Sequence, residues 1–486
     1  MASASIISDF EDKSAKGKLP DLFKLVDQEK RNLVQLLKDA VSIPSIAHEE
    51  KHFSDILEML NFCKKELTSL GAKVQVINVN QETEKSPPVL FATLIADELV
   101  INKTICVYGS VDMPPLTKSK QEKNSFQLIE KNERLHGYGV TQNKGPLTCW
   151  LNALKVYKKA KNRIPINIKF VIEGTAESHS SSLKRAIQLK PDFFNDIAYY
   201  CLTIDKKVNN IPCLKYGFRG TCHFSLEINC GGKNVHTGSY GGAFQQPLLN
   251  AVNVVGSLFD KNGKISVTKL VKEVETLSLE EEKYCKEFPF NVEKLKEEVG
   301  TKRLKHKEKS IRLLIHKTRL PTISVHNFNM SINSDDIHNL AFASNKVTVN
   351  FSVRLVPNQT AEETFQILEN HIKQIWHENG NVNFYNFKMN FGYDPWKENP
   401  SSPHYRAAAE AIKIVYKRNP LYVCEGYTLP AVSIIAEEFF ESDLIVIPLT
   451  CVENDVQSNM ESISIIDYIN GIKLLIAYMC EIHDMK

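Results

Sequence analysis

The chain has no CxxC cysteine pair, no excess of either charge, and no apolar run approaching a bilayer span. A helical span needs roughly 20 such residues. Each absence removes a class of function. The 11 cysteines are odd in number and scattered. Cys106, Cys149, Cys201 and Cys222 fall inside apolar runs, where buried reduced thiols are expected. A formal net charge of +3, evenly spread, leaves no electrostatic footprint for nucleic acid or a membrane surface. The opening residues MASASIISDFEDKSAKGK carry acids and no apolar core, so they do not read as a secretory signal. Internal repeats and low-complexity linkers are missing too. The expectation is a soluble protein of a reducing compartment, the cytoplasm.

What the chain does have is length and ordinary composition. With 486 residues, 43% hydrophobic and 24% charged, it is expected to hold two domains. The informative stretch runs from Thr104 to Asp205. The apolar run TICVY stops at Gly109-Ser110-Val111-Asp112, and INIKFVI stops at Glu173-Gly174-Thr175-Ala176-Glu177. Between them, GYGVTQNKGP leads into the helical pattern TCWLNALKVYKKA. Short apolar runs flanking an amphipathic helix predict a parallel βαβ unit. Ligands bind such sheets at the strand carboxyl ends, so the polar residues there are candidate site residues.

Elsewhere the pattern is readable but less pointed. Residues 21–42 have helical spacing, and SIPSI breaks it at proline. His48-Glu49-Glu50-Lys51-His52 is a formal match to HExxH, in which two histidines one helical turn apart grip zinc. Its flanks read as an ordinary amphipathic helix with the motif on the polar face, so a solvated face is preferred to a zinc site. After Cys213 the pattern becomes antiparallel sheet and helix, with a lysine- and glutamate-rich segment at 270–318 that reads as a solvated insertion. From Asp394-Pro395-Trp396 the chain returns to the first domain.

Six motifs as a set carry a family resemblance: KGP at 144–146, NALKVYKK, EGTAES at 173–178, YGFRG at 216–220, VHTGSYGG at 235–242 and FSVRLVPN at 351–358. The chain resembles the cytosolic non-specific dipeptidases and carnosinases, peptidases using two divalent ions, zinc or manganese. The resemblance implies an α/β fold. Its catalytic-type domain, residues 1–212 and 393–486, has a mixed, mostly parallel sheet flanked by helices. An inserted α+β lid and dimerisation domain spans 213–392. It also implies a homodimer.

Where the chain departs from the family, the departures fall on the chemistry. Two-ion hydrolysis needs anionic or imidazole ligands and a carboxylate base. The family's first metal histidine is replaced by Ser110, a poor zinc ligand, while its orienting aspartate remains as Asp112. The bridging aspartate is replaced by Gln142, which cannot neutralise two cations. Of the paired glutamates, Glu177 keeps a metal-ligand place but Ala176 stands where the general base belongs. The next carboxylate falls on Ile204 or, with a bulge, on Asp205. The last histidine is replaced by Gln457.

The ligand end is better kept. His236 matches a lid histidine that polarises the substrate carbonyl across the dimer, and Arg354 an arginine that binds the substrate carboxylate. Gly426 and Thr428 lie in CEGYTLP, which resembles the family's carboxylate loop, with Tyr427 replacing a small residue. The resulting expectation is a degenerate homologue that does not hydrolyse peptides, needs no cofactor, and binds a small carboxylate, a dipeptide-like ligand or a partner. Two rivals stay open. One is a hydrolase with a hard cation on Asp112, Glu177 and Asp205; the other is a zinc peptidase using His48 and His52.

Overall fold

The structure, a computed structural model, describes residues 15–80, 85–96, 103–116, 125–161, 164–204, 207–272, 274–332, 341–450, 453–454 and 461–485. Contacts divide the chain into two units. The first is 1–216, 398–423 and 430–486; the second is 217–397 with the short loop 424–429. The expected insert ran from 213 to 392. Residues 213–216 group with the first unit, where Lys215 O accepts from Tyr405 Oη at 2.7 Å and Tyr216 O from Glu398 N at 2.8 Å.

The first unit is built on a mixed sheet. Its strands run in the order Lys73–Ile77, Val89–Leu94, Asn167–Glu173, Thr104–Ser110, Tyr199–Leu202, Asp443–Val446 and Cys213–Phe218. The central pairings are parallel and the flanking ones antiparallel. Thr104–Ser110 is buried at every residue, which explains why it reads as a continuous apolar run instead of an alternating one. Two helices, Lys144–Lys161 and Ile465–Asp484, cover this sheet. Trp150 shows how, with its ring edge-on to Phe170 at 6.3 Å and to Tyr478 at 6.4 Å. The expected helix over 21–42 is present as two, Leu19–Gln28 and Lys30–Val41.

Glycine is required where the first of the covering helices begins. A Cβ on Gly145 would sit 2.0 Å from the carbonyl oxygen of Val140. This close approach packs the turn before the helix against its first residues. The KGP motif is therefore structural in origin.

The second unit is an antiparallel sheet in the order Thr322–Met330, Lys346–Leu355, Gly220–Asn229 and Phe384–Tyr393. Inward residues Phe224, Leu226, Val347, Val349 and Phe351 alternate with polar ones, and pack on Val254, Leu368 and Ile372 of the helices Pro247–Ser257 and Ala361–Glu378. The lysine-rich segment includes the short helices Leu279–Glu287, Val292–Val299 and Ser310–Thr318. Among the described residues no helix is long and apolar enough to cross a membrane.

One buried ion pair ties the first unit's final helix to its sheet loops. Lys207 Nζ lies 3.0 Å from Asp467 Oδ1 and 3.1 Å from Tyr416 Oη, with the lysine side chain 1% exposed. Asp467→Asn leaves that ammonium without its counter-charge and should cost about 3 kcal/mol in urea unfolding. A loss below about 1 kcal/mol would show that the pair behaves as a surface bridge.

Candidate functional site

The first part of the site follows from strand register. Thr104–Ser110 and Asn167–Glu173 run parallel with Ser110 opposite Glu173, so the loops after both strands emerge side by side. Val111 N donates to Glu173 O at 2.9 Å and continues the pairing one residue further. The Glu173 carboxylate turns inward, accepting from Tyr108 Oη at 2.5 Å and Thr175 Oγ1 at 2.7 Å. Burial pushes its pKa up to about 7, against the pull of those two donors.

Asp112 is fully buried and has work within this chain. Its carboxylate accepts from Ala176 N at 3.1 Å and from Glu177 N at 2.8 Å. It thus holds the Ala176–Ser178 turn in place. Burial raises its pKa, and the amide donors oppose that rise. Glu177, on the same turn, is pushed up to about 7, first by burial and then by the negative charge of Asp112. Ala176, on the same turn, presents a methyl group at the position where the resemblance implies a base.

The other expected positions are less convergent. Ser110 is fully buried, and its hydroxyl has no hydrogen-bond partner among the described residues. Gln142 is exposed, while the next residue, Asn143, takes a left-handed turn (φ 65) and donates through Nδ2 to the Asp112 carbonyl. Lys144 is buried with its ammonium on the Ile43 carbonyl, and burial brings its pKa down to about 7. Ile204 is half-buried. Asp205 and Gln457 lie outside the described residues.

His48 is where the sequence reading needs correction. The HExxH stretch is not on a helix: His48 has φ 60, Glu50–His52 is a short 3-10 turn, and the α-helix begins at Phe53. The two histidines have separate partners. His52 Nδ1 lies 2.6 Å from Asp55 Oδ2, whereas His48 Nε2 lies 3.0 Å from the carbonyl oxygen of Glu177. His48 therefore belongs beside the Ala176–Ser178 turn, not on the polar face of a helix. Periodicity could not show this, because a left-handed residue redirects the chain before the helix starts.

The second unit assembles the ligand-binding candidates. Arg354 Nη1 donates to Thr428 Oγ1 at 2.9 Å, and Thr428 Oγ1 donates to Arg219 O at 2.6 Å. Arg219 lies in YGFRG, and nothing in its sequence setting singles it out. Its Nε donates to Gly426 O at 2.8 Å and its Nη1 to Leu320 O at 2.9 Å, so it pins the 424–429 loop. A Cβ on Gly426 would fall 2.1 Å from Lys317 O, so only glycine fits. Tyr427 meets Phe218 edge to face at 5.5 Å. His236 is exposed, and its Nδ1 accepts from Gly238 N at 3.1 Å.

The description of peptidase family M20/M25/M40 matches residues 106–481. The chain belongs to that family. It is 27% identical to the Beta-Ala-His dipeptidase of Rattus norvegicus, over 96% of both chains. It is 26% identical to the Cys-Gly metallodipeptidase dug1 of Schizosaccharomyces pombe, covering 96% of this chain and 99% of that one. The crystal structure of human carnosine dipeptidase 1 superposes with TM-score 0.79 at 27% identity, covering 96% of this chain and 99% of that chain.

These relatives correct one expectation, that of a chain with no metal cofactor. The S. pombe relative, matched nearly end to end, is named a metallodipeptidase, so a metal belongs to the setting in which this fold works. On this chain Asp112 and Glu177 are the described carboxylates that would meet one. Among the described residues, no three or more His, Cys, Asp or Glu side chains are grouped to hold an ion. Ser110 and Gln142 offer a hydroxyl and an amide, which do not complete a two-ion set.

The raised Glu177 gives a pH test in metal-free protein. A carboxyl whose folded pKa exceeds its unfolded value binds its proton more tightly when folded. Its contribution to stability is complete below about 4.5 and is lost as pH climbs through about 7. Glu177→Gln should therefore raise the denaturation midpoint at pH 8 relative to the parent and leave it nearly unchanged at pH 4. Equal effects at both pH values would show that Glu177 titrates as an exposed carboxyl.

Proposed function

We propose that this chain is a ligand-binding member of the family that does not hydrolyse peptides. The observation that carries the reading is Ala176. At the place the resemblance gives to the general base stands a methyl group, on a turn whose amides occupy Asp112. Alanine can neither accept a proton from water nor return one to a leaving amine, and general acid–base catalysis is worth roughly 10²–10⁴ in rate.

The ligand end supports binding. Arg354 is half-buried and forms no ion pair among the described residues, and its hydrogen bond to Thr428 aims the fork. A planar guanidinium beside a hydroxyl suits a carboxylate. The proposed ligand is a dipeptide or similar small carboxylate, with its terminal carboxylate on Arg354 and Thr428 and with Tyr427 limiting its size. The proposal also includes a cytoplasmic homodimer, with His236 completing the partner's site.

A second reading is favoured by the relatives themselves, which are named dipeptidases across 96% of this chain. On that reading the protein hydrolyses dipeptides with an unusual metal site built from Asp112, Glu177 and Asp205. Purified protein loaded with Mn²⁺ or Zn²⁺ and assayed on β-Ala-His and Cys-Gly separates the two. The proposal expects turnover at least about 10²-fold below that of an active relative assayed alongside. Comparable turnover that is lost in Glu177→Ala establishes the second reading and overturns the first.

A further inference from the structure

The lysine-rich segment was expected to be a solvated face, but its charges are segregated. In the helix Leu279–Glu287, Lys283 and Lys286 are matched by Glu287 and Glu282 at 3.9 and 3.7 Å. Residues 302–317, KRLKHKEKSIRLLIHK, are different. Their one acid, Glu308, is committed to Lys296 at 3.0 Å and to Leu304 N at 3.2 Å. Lys302, Arg303, Lys305, Lys307, Lys309, Arg312 and Lys317 are exposed, and none forms an ion pair among the described residues.

The backbone gathers these cations together. His306, Lys307 and Glu308 take φ values of 60, 54 and 55, three successive left-handed residues with no glycine among them. Such a conformation is disfavoured for every L-residue that adopts it. The turn folds back so that the His306 ring stacks on His316 of the helix Ser310–Thr318, with centroids 3.5 Å apart and planes at 14°. Lys305 and Arg312 lie within electrostatic reach of both rings. Burial and these neighbouring charges together hold both imidazoles below their ordinary pKa. The turn so brings the cations Lys305 and Arg312 to the same pair of rings, where they repel each other. It becomes favourable when an anion is placed among them.

We propose that Lys305, His306, Arg312 and His316 form a binding site for a multiply charged phosphate group. Arg312 supplies a fork of donors matched to phosphate oxygens, the imidazoles supply N–H donors, and Lys305 supplies a compact charge. The shared chemistry is a phosphate dianion, whether free or carried on a lipid headgroup.

The test titrates the full-length protein with pyrophosphate by calorimetry, and in parallel with vesicles containing a phosphoinositide. The double variant Arg312→Gln/His316→Gln is compared with Lys261→Gln, which removes an exposed cation elsewhere. Expected is saturable binding of one pyrophosphate per chain, weakened at least about tenfold in the double variant and unchanged in the control. The His306 and His316 ring protons should shift toward the charged form on binding. Vesicle binding without pyrophosphate binding, lost in the double variant alone, assigns the site to a headgroup and also supports it. No saturable binding of either probe, or equal weakening in the control, overturns the proposal. Thermal midpoints of the variants report whether either change has merely unfolded the segment.

Discussion

The parallel pairing of Thr104–Ser110 with Asn167–Glu173 is the constraint on which the site depends. Its register sets Ser110 opposite Glu173, and Val111 N extends the pairing beyond the strand end. Only because the two strands stop together can the Asp112 carboxylate reach the amides of Ala176 and Glu177. That pair of hydrogen bonds fixes the turn, the turn places Glu177 next to Asp112, and burial together with the charge of Asp112 raises the proton affinity of Glu177. The chemistry at this edge is therefore a consequence of sheet register and burial.

The same geometry accommodates an altered set of side chains without disturbing the fold. Asp112 serves as a cap for the following turn, which gives it a structural reason to stay. His48 comes in from a left-handed residue to bind the Glu177 carbonyl. In the second unit, Arg219 and Gly426 keep the 424–429 loop in register with Arg354. Arg219, Arg354, Gly426 and Thr428 are thus joined in one hydrogen-bonded set, on which the proposed carboxylate site rests.

Much of this was legible in the chain. TICVY and INIKFVI read as buried parallel strands because burial on both faces removes alternation, and Gly145 in KGP marks a close backbone approach. The two-rival reading of the chemistry was also available, since Ser110, Gln142 and Ala176 are visible as substitutions against a resemblance. Other features were not readable. Helical periodicity carried HExxH onto a helix, because nothing in residue type signals that His48 has positive φ. Sequence order hid the membership of residues 424–429 in the second unit, since a six-residue loop carries no periodicity of its own. The segregation of charge at 302–317 was masked by composition, which counts acids and bases without showing which are already paired. The expectation of no cofactor failed for another reason: it inferred the working conditions of the fold from individual ligand positions, whereas the metallodipeptidase relatives share nearly its whole length.

The most direct test of the central claim is to bind a dipeptide to the metal-supplemented protein at equilibrium and then recover the ligand for chromatography. The account predicts saturable binding that is lost in Arg354→Ala, with the dipeptide recovered intact. Recovery of the free amino acids at a rate proportional to protein concentration would contradict it, and would mean that this edge of the sheet supplies a base that Ala176 does not.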